Sequence, residues 1–164
     1  MRLVVQDANI IIDLIECDLF ELFFRLDVEV LTTSLVLREI TQTRQKKACD
    51  VAVRKNALTV VGINTLEYLR LQSLDLPGLS FTDRSVLELA DTRCACLLTG
   101  DGKLRKTAKT YEVEVFGILW VFDQLVSRRL LRQEDARSKL ERLHQRNPRL
   151  PQKEIERRLS AWSE

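Results

Sequence analysis

Residues 1–16, MRLVVQDANIIIDLIE, decide how the rest of the chain reads. Arg2 to Gln6 (RLVVQ) is a short run rich in β-branched residues, whereas Ile10, Ile11, Leu14 and Ile15 recur at helical spacing, so a strand passes into a helix at Asp7. A carboxylate at that junction has two uses. It can accept the unpaired amide hydrogens of the first helical turn, or it can face a ligand at the carboxyl edge of a parallel sheet.

The stretch from Ala8 to Leu26 has the dense apolar spacing of two consecutive helices, and Val28 to Thr33 (VEVLTT) reads as a second strand. Ser34 then caps a helix running through SLVLREITQTRQKK, whose basic far end suits the helix dipole. Leu58 to Ile63 is a strand and Thr65 to Leu74 a helix; Leu76-Pro77-Gly78-Leu79 breaks the chain before a helix from Ser80 to Arg93. Ala95 to Thr99 is the next strand. Gly100 and Gly102 bracket Asp101 in a turn, KLRKTAKT makes a short basic helix, and Val113 to Phe116 is the last strand. This alternation predicts an α/β fold with a central, mostly parallel sheet between helical layers.

From Gly117 onward the chain is helical: GILWVFDQLVSRRLL, then Gln133 to Gln145, then about Gln152 to Trp162 beyond the break at Asn147-Pro148-Arg149-Leu150-Pro151. Trp120, Phe122 and Val126 read as core or interface residues. The expected division is a domain over residues 1–131 and a helical C-terminal extension over residues 132–164.

Composition narrows the chemistry. With 45% hydrophobic and 30% charged residues, 164 residues can bury one core and stay soluble outside. Asp7 and Asp13 interrupt the first apolar run too early for a signal peptide or a membrane span, so a cytoplasmic protein is expected, with no membrane partner. Cys17, Cys49, Cys94 and Cys96 sit in apolar or helical stretches as buried free thiols. His144 is the one histidine and lies in a charged tail, which removes zinc-type ligation and a serine-histidine triad. A net charge of +2 does not by itself announce a nucleic-acid protein.

What remains is acidic. Asp7 and Asp101 follow strands, Glu39 is expected early in the helix after the second strand, and Asp83 lies in the first turn of the helix before Ala95 to Thr99. Four carboxylates converging on one edge would repel unless a cation lay between them, and hard oxygen ligands of this kind suit Mg²⁺ or Mn²⁺. Such ions polarise phosphates and activate water. Each acid also has a structural use: Asp7 as a helix cap, Asp83 in a capping box with Ser80, Glu39 as a solvated helix residue, Asp101 in a turn. Asn9 and Thr99 stand beside them as polar companions.

The segments VVQDANIIIDL, TTSLVLREI, LSFTDRSVLELA and CLLTGDGKLRK occur in the order and approximate spacing of the acidic motifs of PIN domains. Over about residues 1–125 the chain resembles this family, and among its members the VapC-like toxin ribonucleases of bacterial toxin-antitoxin pairs. The resemblance implies a three-layer PIN-like fold and a metal-dependent endoribonuclease. It implies Asp7, Glu39, Asp83 and Asp101 as catalytic metal ligands for Mg²⁺ or Mn²⁺, with Asn9 and Thr99 in support. Many relatives carry a further acid after the last motif, where this chain has Gly102 and Lys103, so the resemblance leaves the number of ions open.

Lys103, Arg105, Lys106 and Lys109 follow the last motif directly, where they could meet RNA phosphates or form a solvated helix face. Arg44, Lys46, Lys47, Arg54 and Lys55 are a second, weaker basic candidate. The charged terminal helices, if the likeness to toxins extends so far, would dock on another copy in a homodimer or on an antitoxin protein; surface helices of a monomer are the competing reading. Two other functions stay open: a non-catalytic RNA-binding or partner-binding scaffold, and a phosphatase using Asp7-Ala8-Asn9, although Asn9 stands where that chemistry needs a second acid.

Overall fold

The computed structural model describes the backbone of residues 2–163 and the side chains of residues 7–163. Five strands, β1 (Arg2–Gln6), β2 (Val28–Thr33), β3 (Leu58–Val61), β4 (Cys96–Leu98) and β5 (Val115–Phe116), form one all-parallel sheet in the order β3-β2-β1-β4-β5. Val4 of the central strand aligns with Val30 on one side and Cys96 on the other. The chain winds outward through β2 and β3, crosses back over β1, and winds outward again through β4 and β5. Strand order therefore reverses between β1 and β4, and the crevice at their carboxyl ends is where sheets of this kind take ligands.

Helices α1 (Ala8–Glu16), α2 (Phe20–Phe23), α3 (Ser34–Glu39) and α4 (Thr43–Arg54) join β1, β2 and β3. Helices α5 (Thr65–Ser73) and α6 (Phe81–Thr92) lead to β4, and α7 (Gly102–Thr110) leads to β5. Right-handed crossovers on a sheet of this order put the two groups on opposite faces. The packing agrees: α6 lies against β1, β2 and β4, and α1 lies among α2, α3 and α4. The three-layer α/β fold expected from the sequence is the one observed.

Helices α8 (Ile118–Ser127), α9 (Gln133–Arg146) and α10 (Gln152–Ala161) complete the chain, with α8 on α1 and α2 and the other two stacked beyond it. Although α9 is charged on most of its surface, Ala136, Leu140 and Leu143 recur on one stripe and are fully buried. Burying a leucine side chain is worth roughly 1.5–3 kcal/mol, enough to dock such a helix. These residues and Ile155 of α10 belong to the same core cluster as Ile11, Leu14 and Phe122. Lys139 donates to the Cys17 carbonyl at 2.8 Å, Arg146 pairs with Glu16 at 3.0 Å, and Arg158 pairs with Asp123 at 2.6 Å. The helices from residue 132 on are thus seated on the rest of the chain.

Three expectations are corrected. The helix expected from Ser34 to Lys47 is two helices: Thr33, not Ser34, is the cap, and the chain is extended at Ile40 and Gln42 before α4. In one straight helix Ile40 and Cys49 would point about 180° apart at 3.6 residues per turn. Both are buried, so the helix breaks between them. The strands expected to begin at Ala95 and Val113 begin later, because the Ala95 and Val113 amides bond the Ala90 and Ala108 carbonyls and close the preceding helices. Cys94, expected to be buried, is exposed at a left-handed position with φ 49°, while Cys17, Cys49 and Cys96 are buried thiols in no disulfide. No described helix is long and apolar enough to cross a membrane.

Candidate functional site

Asp7 is the N-cap of α1, where one carboxylate oxygen accepts the Ile10 amide at 2.9 Å. Its other oxygen accepts the hydroxyl of Thr99, the residue after β4. That same hydroxyl oxygen accepts the Asp101 amide at 3.0 Å. Asp101 in turn caps α7 by accepting the Leu104 amide at 2.8 Å. Thr99 is fully buried and Asp7 is 6% exposed, so the two strand ends are joined through an interior hydroxyl.

Burial raises the Asp7 carboxyl from 3.8 to about 6. The Thr99 and Ile10 hydrogen bonds pull it down, while the negative charges of Asp83 and Asp101 push it further up. Asp83 sits at the start of α6 in a full capping box: its amide donates to the Ser80 hydroxyl at 3.0 Å and its carboxylate accepts the Ser80 amide at 3.1 Å. A second buried hydroxyl pair, Thr33 with Ser85 at 2.9 Å, ties the end of β2 to the same turn of α6. Arg84 holds the preceding loop by donating to the Leu71 and Leu76 carbonyls at 3.2 and 3.3 Å.

Of the four acids, Asp83 and Asp101 are thus brought within electrostatic reach of Asp7 at the β1–β4 crevice. Glu39 is not joined to them: it is exposed as the last residue of α3, not early in its helix as expected, and it makes no hydrogen bond or ion pair among the described residues. No group of three or more His, Cys, Asp or Glu side chains is close enough to hold an ion among the described residues. The donor chemistry nonetheless fits a divalent cation, since Asp7 is a buried carboxylate within electrostatic reach of two more.

A cleft of about 980 Å³ opens at this edge and meets the site at Asn9 and Asp101; Asp7, Glu39 and Asp83 do not line it. Its walls are α1, the Gly100–Gly102 turn, residues 115–120, and the turn between α9 and α10. Arg105, Arg146, Arg149 and Arg158 line it, with Asp13 as a further acid. Burial raises the Asp13 carboxyl, an effect opposed by a hydrogen bond from Asn147 and the charge of Arg146. Arg105, read from the sequence as a phosphate contact, donates to the Thr99 carbonyl at 2.9 Å. Gly117 permits that approach, because a Cβ there would lie 3.0 Å from the guanidinium. Lys103, Lys106 and Lys109 are exposed on α7, and the Lys103 stem packs over Gly78.

Two cleft residues escaped the sequence reading. Trp120, expected in a core or an interface, is half-buried on the cleft wall and stacked on Phe116 with ring centroids 4.8 Å apart. Arg149 lies in a Pro-flanked break that carried no functional signal. Phe122, by contrast, is fully buried as expected.

No curated protein matches the chain. Among solved structures, a PilT N-terminus domain protein, SSO1118, from Sulfolobus solfataricus P2 is 14% identical with a TM-score of 0.50, over 76% of this chain and 93% of that one. PAE2754 from Pyrobaculum aerophilum is 15% identical with a TM-score of 0.51, over 75% and 89%. Both share the fold. A family model described as "DUF3368: PIN domain" matches residues 3–164, and the chain belongs to the PIN-domain family.

Proposed function

We propose that the chain is a metal-dependent endoribonuclease that hydrolyses RNA phosphodiesters, and that it is the toxin of a toxin-antitoxin pair. PIN domains are generally nucleases. The observation that carries the reading is Asp7: a buried carboxylate at the switch point of the sheet, raised to about 6 by burial and within electrostatic reach of Asp83 and Asp101. A protein keeps such an unfavourable charge where chemistry uses it.

The proposed ligands for Mg²⁺ or Mn²⁺ are Asp7, Glu39, Asp83 and Asp101, Glu39 entering on the family resemblance alone. When bound, the ion would polarise the scissile phosphate and lower the pKa of an attacking water. The chain's own part is positional. Thr99 fixes the Asp7 carboxylate by its hydroxyl, holds the Asp101 amide with the same atom, and so sets the separation of the two acids. Asn9 stands exposed beside them at the cleft mouth. Lys103, Lys106 and Lys109 on α7 are proposed to meet the RNA backbone, joined by Arg105 from the cleft wall.

The proposed partners are an antitoxin protein and a second copy of the chain, in a cytoplasmic setting. Leu66, Tyr68 and Leu69 stand exposed on α5, apolar surface of the kind a protein partner covers.

One observation favours a non-catalytic scaffold: Asp7, Asp83 and Asp101 all serve as helix caps, a sufficient structural reason for each. Incubation of single-stranded RNA with wild type and Asp7→Asn, in Mg²⁺, Mn²⁺ or chelator, separates the readings. The nuclease cuts only with metal and only with Asp7 intact; a scaffold binds RNA without cutting it under any of these conditions. A phosphate monoester run in parallel tests the phosphatase.

A further inference from the structure

The cleft leads away from the acids, and its lining differs from theirs. On one wall Trp120 lies in a stacked pair with Phe116, half-buried with its remaining surface on the cleft. Arg105 and Arg149 bring guanidinium groups to the same cleft, and neither is paired with a carboxylate among the described residues. Arg146 and Arg158 also line it but are held by Glu16, and by Asp123 and Glu154. The cleft thus combines an aromatic face with two guanidinium groups outside any ion pair among the described residues; Asp13 also lines it, and it adjoins an acid of the site at Asp101.

An aromatic face bordered by guanidinium groups outside ion pairs suits a single-stranded nucleic acid, whose bases stack while its phosphates meet the cations. A duplex keeps its bases stacked on one another and offers none to Trp120. We propose that this cleft is the groove that receives the single strand running off the scissile phosphate, with a base stacked on Trp120 and phosphates on Arg105 and Arg149. The inference rests on the ribonuclease reading and assigns the path that the strand takes away from the acids. Arg149 is supplied by the α9–α10 turn, so the C-terminal helices contribute directly to substrate binding. Phe116 backs the indole and holds its plane.

The test uses Asp7→Asn protein, because Asp7 lies outside the cleft and the substitution prevents consumption of the strand. Trp162→Phe in that background leaves Trp120 as the only tryptophan, since the chain has 2. A short oligouridylate should quench its fluorescence on binding, and a duplex of equal length should not. Trp120→Leu should weaken oligouridylate binding roughly 5- to 100-fold, with Trp120→Phe recovering most of the loss. Arg149→Glu should weaken binding and flatten its salt dependence. If oligouridylate binds, and wild type cuts it, with Trp120 unquenched and both substitutions silent, the cleft proposal falls while the nuclease reading stands. If no oligonucleotide binds at all, both fall.

Discussion

The hydroxyl of Thr99 donates to the buried carboxylate of Asp7, across the junction of two adjacent parallel strands, and its oxygen also accepts the amide of Asp101. One side chain therefore serves both a buried charge and a helix start. Thr99→Val keeps the shape and removes the hydrogen bonds. Loss of stability should be about 1–3 kcal/mol, the usual cost of stranding buried polar groups. Metal-dependent cleavage should fall with it, since the two acids lose their common anchor. Denaturant unfolding and an RNA cleavage assay on the same preparation measure both effects; a variant as stable and active as wild type would remove Thr99 from the site.

Asp7 makes metal-free stability depend on pH in an unusual direction. Its folded carboxyl, at about 6, lies above the ordinary 3.8, so between these values the native state holds a proton that the unfolded chain releases. Stability from this group is full below 3.8 and is lost as pH rises to about 6, a difference of roughly 3 kcal/mol. Asp7→Asn can still cap α1 and should be more stable than wild type in chelator at neutral pH, with the advantage vanishing in acid. Unfolding curves on either side of the titration check this. A constant difference between the two proteins would show that Asp7 carries no such penalty.

Metal can separate the capping role of Asp83 from its proposed role as a ligand. Asp83→Asn can keep the bond from the Ser80 amide, so in chelator it should melt near or above wild type. At a hundredfold excess over the dissociation constant, Mn²⁺ should stabilise wild type by about 2.7 kcal/mol and the variant much less. Equal metal-induced shifts in thermal melts would reduce Asp83 to its capping box.

Charge reversal at Lys103, Lys106 and Lys109 should weaken RNA binding alike for different sequences and reduce its salt dependence. The melting shift with Mn²⁺ should stay as in wild type, because these side chains are exposed on α7 and are not among the proposed ligands. An unchanged salt slope would make this face of α7 ordinary solvated surface.

The order of elements was legible because each apolar period is clean: α1 buries Ile10, Ile11, Leu14 and Ile15 on one face, and α9 buries Ala136, Leu140 and Leu143. Their ends were less so. Five helices stop at a left-handed residue that is not glycine, namely Asp18, Asn56, Cys94, Glu112 and Arg129, so the usual glycine signal for a helix end is missing. The break at Ile40 was also hidden, since it follows from where two buried residues must point and not from any local breaker. In the site, Asp7, Asp83, Asp101 and Thr99 could be marked because strand ends and first helical turns are visible in the sequence. Trp120 and Arg149 could not. Which side of an amphipathic helix opens on a cleft depends on where α9 and α10 pack, and that is settled by tertiary contacts alone.

The position of β1 has a consequence in time. It precedes β2, β3, β4 and β5 in the chain and is the middle strand of the sheet, with one of its two neighbours, β4, beginning only at Cys96. Pairing so distant in sequence closes a long loop and forms slowly compared with local helices. A nascent chain that has made β1, β2 and β3 carries Asp7 at an open edge, with neither Thr99 to orient it nor Asp101 to face it. Assembly of the acidic crevice therefore waits until β4 and the turn that follows it have been made. A truncated product ending before β4 would be inert, whatever it had already folded.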